Sequence, residues 1–258
     1  MKRIREIIEY REMVFRLVQQ DLKGKYKGSV LGFLWTFLNP LLQLVVYTFV
    51  FNTIMKQDIE DFYIFLFVAF VPWLFISTSV SGGSRAVIDR KDLVKKIYFP
   101  RQILPLAYVT GGFVNLLLSF VVVFGALIFS GRTIHFNLLW YLIPIMIVEY
   151  LFCLGITMIT SALTVFFRDL EYILTIITMV WMYLTPIMYP KSLVPVEFQT
   201  VYNLNPVTPI IDNYRFVLYY GEAPRLESLC GALMIAFAML LLGNIVFEVL
   251  QRRFAEEL

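Results

Sequence analysis

Very few residues of this 258-residue chain can do covalent chemistry, and none is spaced for it. There is one histidine, His135, so no pair of imidazoles can hold a metal or a haem. The two cysteines, Cys153 and Cys230, lie in apolar runs and read as small packing residues, with no disulfide expected. No H-E-x-x-H, no nucleophile elbow and no G-x-x-x-x-G-K-[ST] occurs, so a P-loop for nucleotide is absent from the sequence. Asp58, Glu60 and Asp61 form the nearest acidic cluster, but on a minimal turn. Glu149 is the only acid deep within an apolar segment. Such carboxylates are functional candidates by default, yet a single one makes a thin proton relay, and a hydrogen bond between helices is an equal expectation.

What remains is charge that can bind rather than react. The densest run is residues 85–101, with Asp89, Arg90, Lys91, Asp92, Lys95, Lys96 and Arg101. It reads as a short helix that Pro100 should end. A plain tether would not need Val87, Ile88, Leu93, Val94, Ile97 and Tyr98 among those charges, so the run is expected to dock a cytoplasmic partner. The tight turn FFRDLEY, residues 166–172, carries Arg168, Asp169 and Glu171 and is a second, smaller docking candidate. The apolar segments are too poor in ionisable groups to run on protons, and the chain holds no nucleotide motif. The expected energy source is a separate ATPase subunit.

The elements that must position these charges are membrane helices. The chain is 59% hydrophobic and 16% charged, well below the roughly 25% charged of a soluble domain. Six almost charge-free runs read as spans: Gly28–Met55, Phe62–Ser84, Gln102–Gly131, Phe136–Phe167, Tyr172–Tyr189 and Ser228–Phe247. The first would reach roughly 40 Å as helix, beyond the roughly 30 Å of bilayer hydrocarbon. Pro40, in Asn39-Pro40, should bend it. Seventeen of the 22 Lys and Arg fall before the first span, in residues 85–101, at Arg168 and at Arg252 and Arg253. By the positive-inside rule both termini are cytoplasmic. The first 27 residues contain no apolar stretch of a cleavable signal peptide. The net charge of +3 means little by itself, and nucleic acid is not an expected partner.

The sequence thus predicts an all-α integral membrane protein in one domain, residues 1–258, with six transmembrane helices. Residues 1–27 carry an amphipathic interfacial helix with apolar positions Ile4, Ile7, Ile8, Phe15, Val18 and Leu22 and a basic face. Residues 186–224, between spans five and six, hold Pro186, Pro190, Pro195, Pro206, Pro209 and Pro224 yet stay apolar. That segment is too apolar for a solvated loop and too broken for a span. Re-entrant helices fit it, and they form a candidate outer gate. Aromatics make up 17% of the chain. Most belong to core and interfacial belts, but Phe33, Trp35, Phe37, Tyr47, Phe51, Trp73 and Phe75 are candidates to line a path for sugars, whose C–H faces stack on rings.

Four stretches carry a family resemblance. KYKGSVLGFLWTFLNPLL (residues 25–42), DLVKKIYFPRQILPL (92–106), FFRDLEY with the later TPIMYP (166–172 and 185–190), and Asn205-Pro206 with residues 207–214 resemble, in order, the permeases of type-2 ABC exporters for polysaccharides. These move O-antigen, capsule or teichoic-acid chains. The resemblance implies a homodimer in a bacterial inner membrane, with two ATPase subunits that bind ATP and Mg, and no cofactor in this chain. It implies entry of a lipid-linked polysaccharide at the inner leaflet, where Lys23, Lys25 and Lys27 can steer the carrier pyrophosphate or simply anchor topology. It implies an outer gate, for which Pro186, Tyr189, Asn205, Pro206, Pro209 and Tyr214 are the candidates. An exporter of a small lipid or drug, and an integral-membrane glycosyltransferase, are the alternatives.

Overall fold

The computed structural model describes Glu6 and residues 9–24, 28–54 and 59–258, with the side chains of all but Phe33, Val201 and Ala255. Lys25, Lys27 and the expected apolar positions Ile4, Ile7 and Ile8 lie outside the described residues, as do Lys56 and Asp58. Among the described residues there are helices and turns and no strand.

Helix α1, Arg11–Gly24, buries Leu17 and Val18 against the start of the third long helix. Its inward face includes Val14 and Leu17, whereas Phe15, expected on the apolar stripe, is 61% exposed. Residues 14, 17, 18 and 21 share the face turned to the bundle at helical spacing, and Phe15 points away from it. Gly28 and Gly32 both take positive φ, a region open to glycine at little steric cost, and turn the chain into α2, Trp35–Ile54. The helix begins seven residues later than expected, and Pro40 sits inside it. Its last turn, Phe49–Ile54, widens to a π-helical geometry.

Helix α3, Phe62–Val80, is the hub of the bundle. It is apolar on all sides and almost wholly buried, as a helix surrounded by protein must be. Two glycines follow, and a Cβ on Gly83 would lie 2.8 Å from the methyl of Thr157. The charged run is not one helix to Pro100. It comprises short turns at Ile88–Arg90 and helix α4, Lys91–Lys96, after which Ile97 is extended. Pro100 instead opens the next helical segment, its carbonyl accepting from Ile103 N at 3.0 Å.

Helices α5, Ile103–Phe129, and α6, Leu142–Phe166, are full-length apolar helices. Helix α7, Leu170–Leu184, differs from the anticipated fifth span: it has 15 residues, roughly 22 Å of rise. It stops there because Thr185 precedes Pro186 and is pushed to extended backbone (φ −105°, ψ 135°). Among the described residues, five helices are thus long and apolar enough by themselves to cross a bilayer. The segment after α7 holds α8, Gln199–Leu204, and α9, Thr208–Arg215, then a wide turn Phe216–Tyr220 closed by Gly221 at φ +66°. Helix α10, Leu226–Leu250, runs along α6, and α11, Phe254–Glu257, ends the chain.

Candidate functional site

Both ends of the described chain meet at one end of the bundle, together with the charged run. Arg90 pairs with Asp21 of α1. Tyr10 Oη reaches the carbonyl of Tyr98 at 3.5 Å. Arg101 donates to the carbonyl of Gln251, and its guanidinium lies 5.9 Å from the ring centre of Phe254. Arg85 donates to Asp89 at 3.0 Å and to Glu171 at 2.8 Å, which ties the run to the first turn of α7. The two docking candidates read separately from the sequence are therefore one surface. The sequence reading missed Asp21 and the bridging role of Arg85; only the i, i+4 spacing of Arg85 and Asp89 was visible in advance.

This packing sorts the candidate residues. Arg90 and Arg101 are half-buried and committed to intramolecular partners. Asp89 is exposed but paired. Lys91, Asp92, Lys95 and Lys96 of α4 are exposed, as are Arg168 and Asp169. Of the interleaved apolar residues, Val87 and Val94 are buried and fasten the run to the bundle, whereas Ile97 and Tyr98 are exposed, Tyr98 at 96%. Tyr10, Lys95, Lys96, Tyr98, Arg101 and Arg252 line a groove of about 730 Å³. A smaller cavity of about 220 Å³ lies between Arg85, Lys91, Arg168 and Glu171. Lys23 is exposed at the end of α1.

The aromatic candidates divide in the same way. The side chain of Phe33 is outside the described set. Trp35 is exposed, its Nε1 donating to Ser29 Oγ at 3.1 Å, and Phe37 is half-buried. Tyr47 meets Phe70 edge-on at 5.3 Å, and Phe51 stacks on Phe62 at 5.9 Å. Trp73 and Phe75 are buried in the core, against Trp181 at 6.2 Å and Phe113 at 6.0 Å. In this conformation those two fill the bundle interior and face no open path.

At the opposite end, the proline-rich segment is built as a cap. Asn205 is its junction: its Oδ1 accepts from Trp181 Nε1 at 2.9 Å and from Val207 N at 3.0 Å, and its Nδ2 donates to Thr185 Oγ1 at 2.9 Å and to Leu184 O at 3.2 Å. One amide side chain thereby satisfies the frayed end of α7 and the start of α9. Tyr189 donates to the carbonyl of Tyr183 at 2.5 Å, and its hydroxyl also meets that of Tyr202. Pro206 follows Asn205, and Pro209 occupies the first turn of α9, where its missing N–H costs nothing. Tyr214 is fully buried and donates to Glu149 Oε2 at 2.6 Å.

Arg215, the last residue of α9, is buried. It donates to the carbonyls of Pro186 and of Ile187, the latter at 2.5 Å, and lies 3.7 Å from the ring centre of Phe65. Burial pushes the half-buried Asp212 carboxyl above the ordinary carboxylate range, against the pull of Arg215 and Lys191. Beside the cap, Arg132 pairs with Asp61 at 2.6 Å and donates to the carbonyl of Tyr219 at 3.0 Å, and Tyr219 Oη donates to the carbonyl of Glu60 at 2.5 Å. These are groups that hold and bind.

A family model described as ABC-2 type transporter matches residues 12–219. The chain is 36% identical over 260 residues to the O-antigen export system permease protein RfbA of Myxococcus xanthus, covering 99% of this chain and 98% of that protein. It is 31% identical over 245 residues to an O-antigen export system permease protein RfbA of Klebsiella pneumoniae, covering 95% and 94%. It is 23% identical over 239 residues to the polysialic acid transport protein KpsM of Escherichia coli, covering 90% and 91%.

Proposed function

We propose a function from one premise: this chain belongs to the ABC-2 type transporter family. It is a transport permease with no ATPase site of its own, and ATP is hydrolysed by a separate subunit. Its cargo, on this reading, is a lipid-linked polysaccharide of the O-antigen kind, moved outward across a bacterial inner membrane. The observation that carries the reading is the end-to-end correspondence with permeases named for O-antigen export.

The basic end is the cytoplasmic face, by the positive-inside rule. Both ends of the chain meet there, which supports an even number of crossings. Helix α7 then makes the sixth crossing despite its length, completed by residues 185–189 of the cap. Lys91, Asp92, Lys95, Lys96 and Tyr98, with Arg168 and Asp169, form the docking surface for the ATPase, which holds ATP and Mg. Arg90 and Arg101 transmit rather than touch: they fix that surface to α1 and to the C-terminal turn.

Two copies of the chain form the conduit, since one protomer fills its centre with the buried hub helix α3. Helices α2, α7 and α10 keep broad apolar faces for lipid and for the second copy. Trp35, exposed near the start of α2, is the candidate aromatic that meets sugar. Lys23, exposed at the end of α1, stands where an anionic lipid carrier would enter, and the cap of α8 and α9 is the outer gate.

The reading is tested by purifying the chain with the ATPase encoded beside it, in wild-type form and with Lys95→Glu and Lys96→Glu together. The expected result is a wild-type complex that hydrolyses ATP and restores polysaccharide export to cells lacking the permease, and a double variant that loses both ATPase co-purification and export. Unchanged co-purification and export in the double variant would sink the docking surface; a wild-type chain that captures no ATPase would sink the function.

A further inference from the structure

Three successive side chains of α9, Asn213, Tyr214 and Arg215, are polar or charged and fully buried. Such groups are costly inside a membrane bundle unless each is paired. Arg215 is paired well: it grips the carbonyls of Pro186 and Ile187 and lies on Phe65, with a long 3.5 Å contact from Nε to the Phe65 carbonyl. The other hold on α9 is narrower. Tyr214 Oη gives one hydrogen bond of 2.6 Å to Glu149 Oε2 on α6, with the Tyr214 ring 5.5 Å from that of Phe120 on α5. Glu149 Oε1, both polar atoms of the Asn213 amide and Thr208 Oγ1 have no hydrogen-bond partner.

This distribution is uneven in a telling way. A helix with one permanent seating gains by replacing unpartnered buried polar groups with apolar ones of the same shape, because an unmade buried hydrogen bond is costly. Spare donors and acceptors on both sides of a single bond fit a helix with two seatings. The flanks agree: α9 is entered through Pro206 and left through the wide turn Phe216–Tyr220, which ends at the left-handed Gly221. Wide helical turns and positive-φ glycines are where a segment rotates without strain.

We propose that Glu149 is a positioning residue for transport: its single bond to Tyr214 latches the cap shut on α6, and release of that bond lets α9 swing out with the 186–187 loop held on Arg215. The proposal deepens the exporter reading and rests on it for its meaning. Glu149 touches no substrate in this role. It acts through Tyr214 on the opening of the exit.

The test uses the full permease–ATPase complex in lipid vesicles, with Cys153→Ala and Cys230→Ala as background and a reporter cysteine at the buried Ile211 of α9. A maleimide reports how often α9 opens. Tyr214→Phe and Glu149→Leu should each raise the labelling rate about tenfold, the scale of one lost buried hydrogen bond. Glu149→Gln, whose amide oxygen still accepts from Tyr214, should stay near wild type. The double variant Glu149→Leu with Tyr214→Phe should label no faster than either single one, since both remove the same bond. Export per ATP hydrolysed should fall as labelling rises, and a control cysteine at the buried Ala162, lower on α6, should label at an unchanged rate.

Unchanged labelling and coupling in Tyr214→Phe overturns the latch, as does a parallel rise at Ala162, which marks a loosened bundle. Tyr214→Phe removes only a hydroxyl and carries the test if Glu149→Leu does not fold. If the wild-type complex neither hydrolyses ATP nor exports, the exporter reading fails, and labelling alone still decides whether the bond holds the cap.

Discussion

Gly155 of α6 and Gly243 of α10 lie directly against each other: a Cβ on Gly155 would sit 2.6 Å from the amide nitrogen of Leu240, and one on Gly243 would sit 3.0 Å from the Cα of Gly155. Two backbones meet here without a side chain between them. Close approach at small residues is how membrane helices gain van der Waals contact where lipid offers no hydrophobic drive. Because the atoms in the way are backbone, they cannot step aside.

Gly155→Val or Gly243→Val should therefore force the helices apart and cost about 1–3 kcal/mol, as overpacking does. Thermal unfolding of the purified permease in detergent is the measurement, and Gly231→Ala, where a Cβ meets nothing within 4 Å, is the control expected not to lower the midpoint.

The ion pair of Arg90 with Asp21 joins α1 to the charged run, with side-chain exposures of only 12% and 24%. Arg90→Ala leaves Asp21 half-buried and unpaired, and is expected to cost about 1.5–3 kcal/mol. Proteolysis within α1 should quicken. The swap Arg90→Asp with Asp21→Arg should recover part of the loss, and a swap no better than the worst single variant would show that the pair does not hold α1.

Arg215 is held by carbonyl groups that only a planar, forked donor reaches together. Arg215→Ala should destabilise the cap by about 3–5 kcal/mol, the scale of a buried charge-bonded group losing one partner. Arg215→Lys keeps the charge and not the fork, so less than half of that loss should be regained. Limited proteolysis between residues 190 and 205 reads the effect locally, and a Lys variant as stable as the wild type would mean that the fork contributes nothing.

The two tryptophans offered for a sugar path should behave oppositely. Trp73 is buried against Trp181, so Trp73→Ala should cost about 3–5 kcal/mol in unfolding. Trp35 is exposed, so Trp35→Ala should change stability by no more than about 0.5 kcal/mol while slowing export. A Trp35→Ala permease that exports at the wild-type rate would remove Trp35 from the path.

Local sequence reached some of these features and not others. Helices α3, α5, α6 and α10 were legible because a charge-free run of sufficient length has few other options in a membrane. The start of α2 was misplaced because Gly28 and Gly32 are apolar enough to join the run yet sit at positive φ. The end of α7 lies five residues before the expected Tyr189 because the TPIMYP stretch stays apolar after Pro186 has broken the helix.

By itself, the sequence determined the class of protein, the side on which charge gathers, the absence of a P-loop and the charged run at residues 85–101. Each is a property of composition or of neighbours along the chain. Only the tertiary structure decided which of those charges are free and which are spent: Arg90 on Asp21, Arg101 on Gln251, Arg85 across to Glu171. It alone brought Tyr214 to Glu149 and turned Arg215 inward. The physical reason is separation. A hydrogen bond is fixed within about 3 Å in space, and these partners stand 28 to 150 residues apart in the chain, where no local pattern can register them.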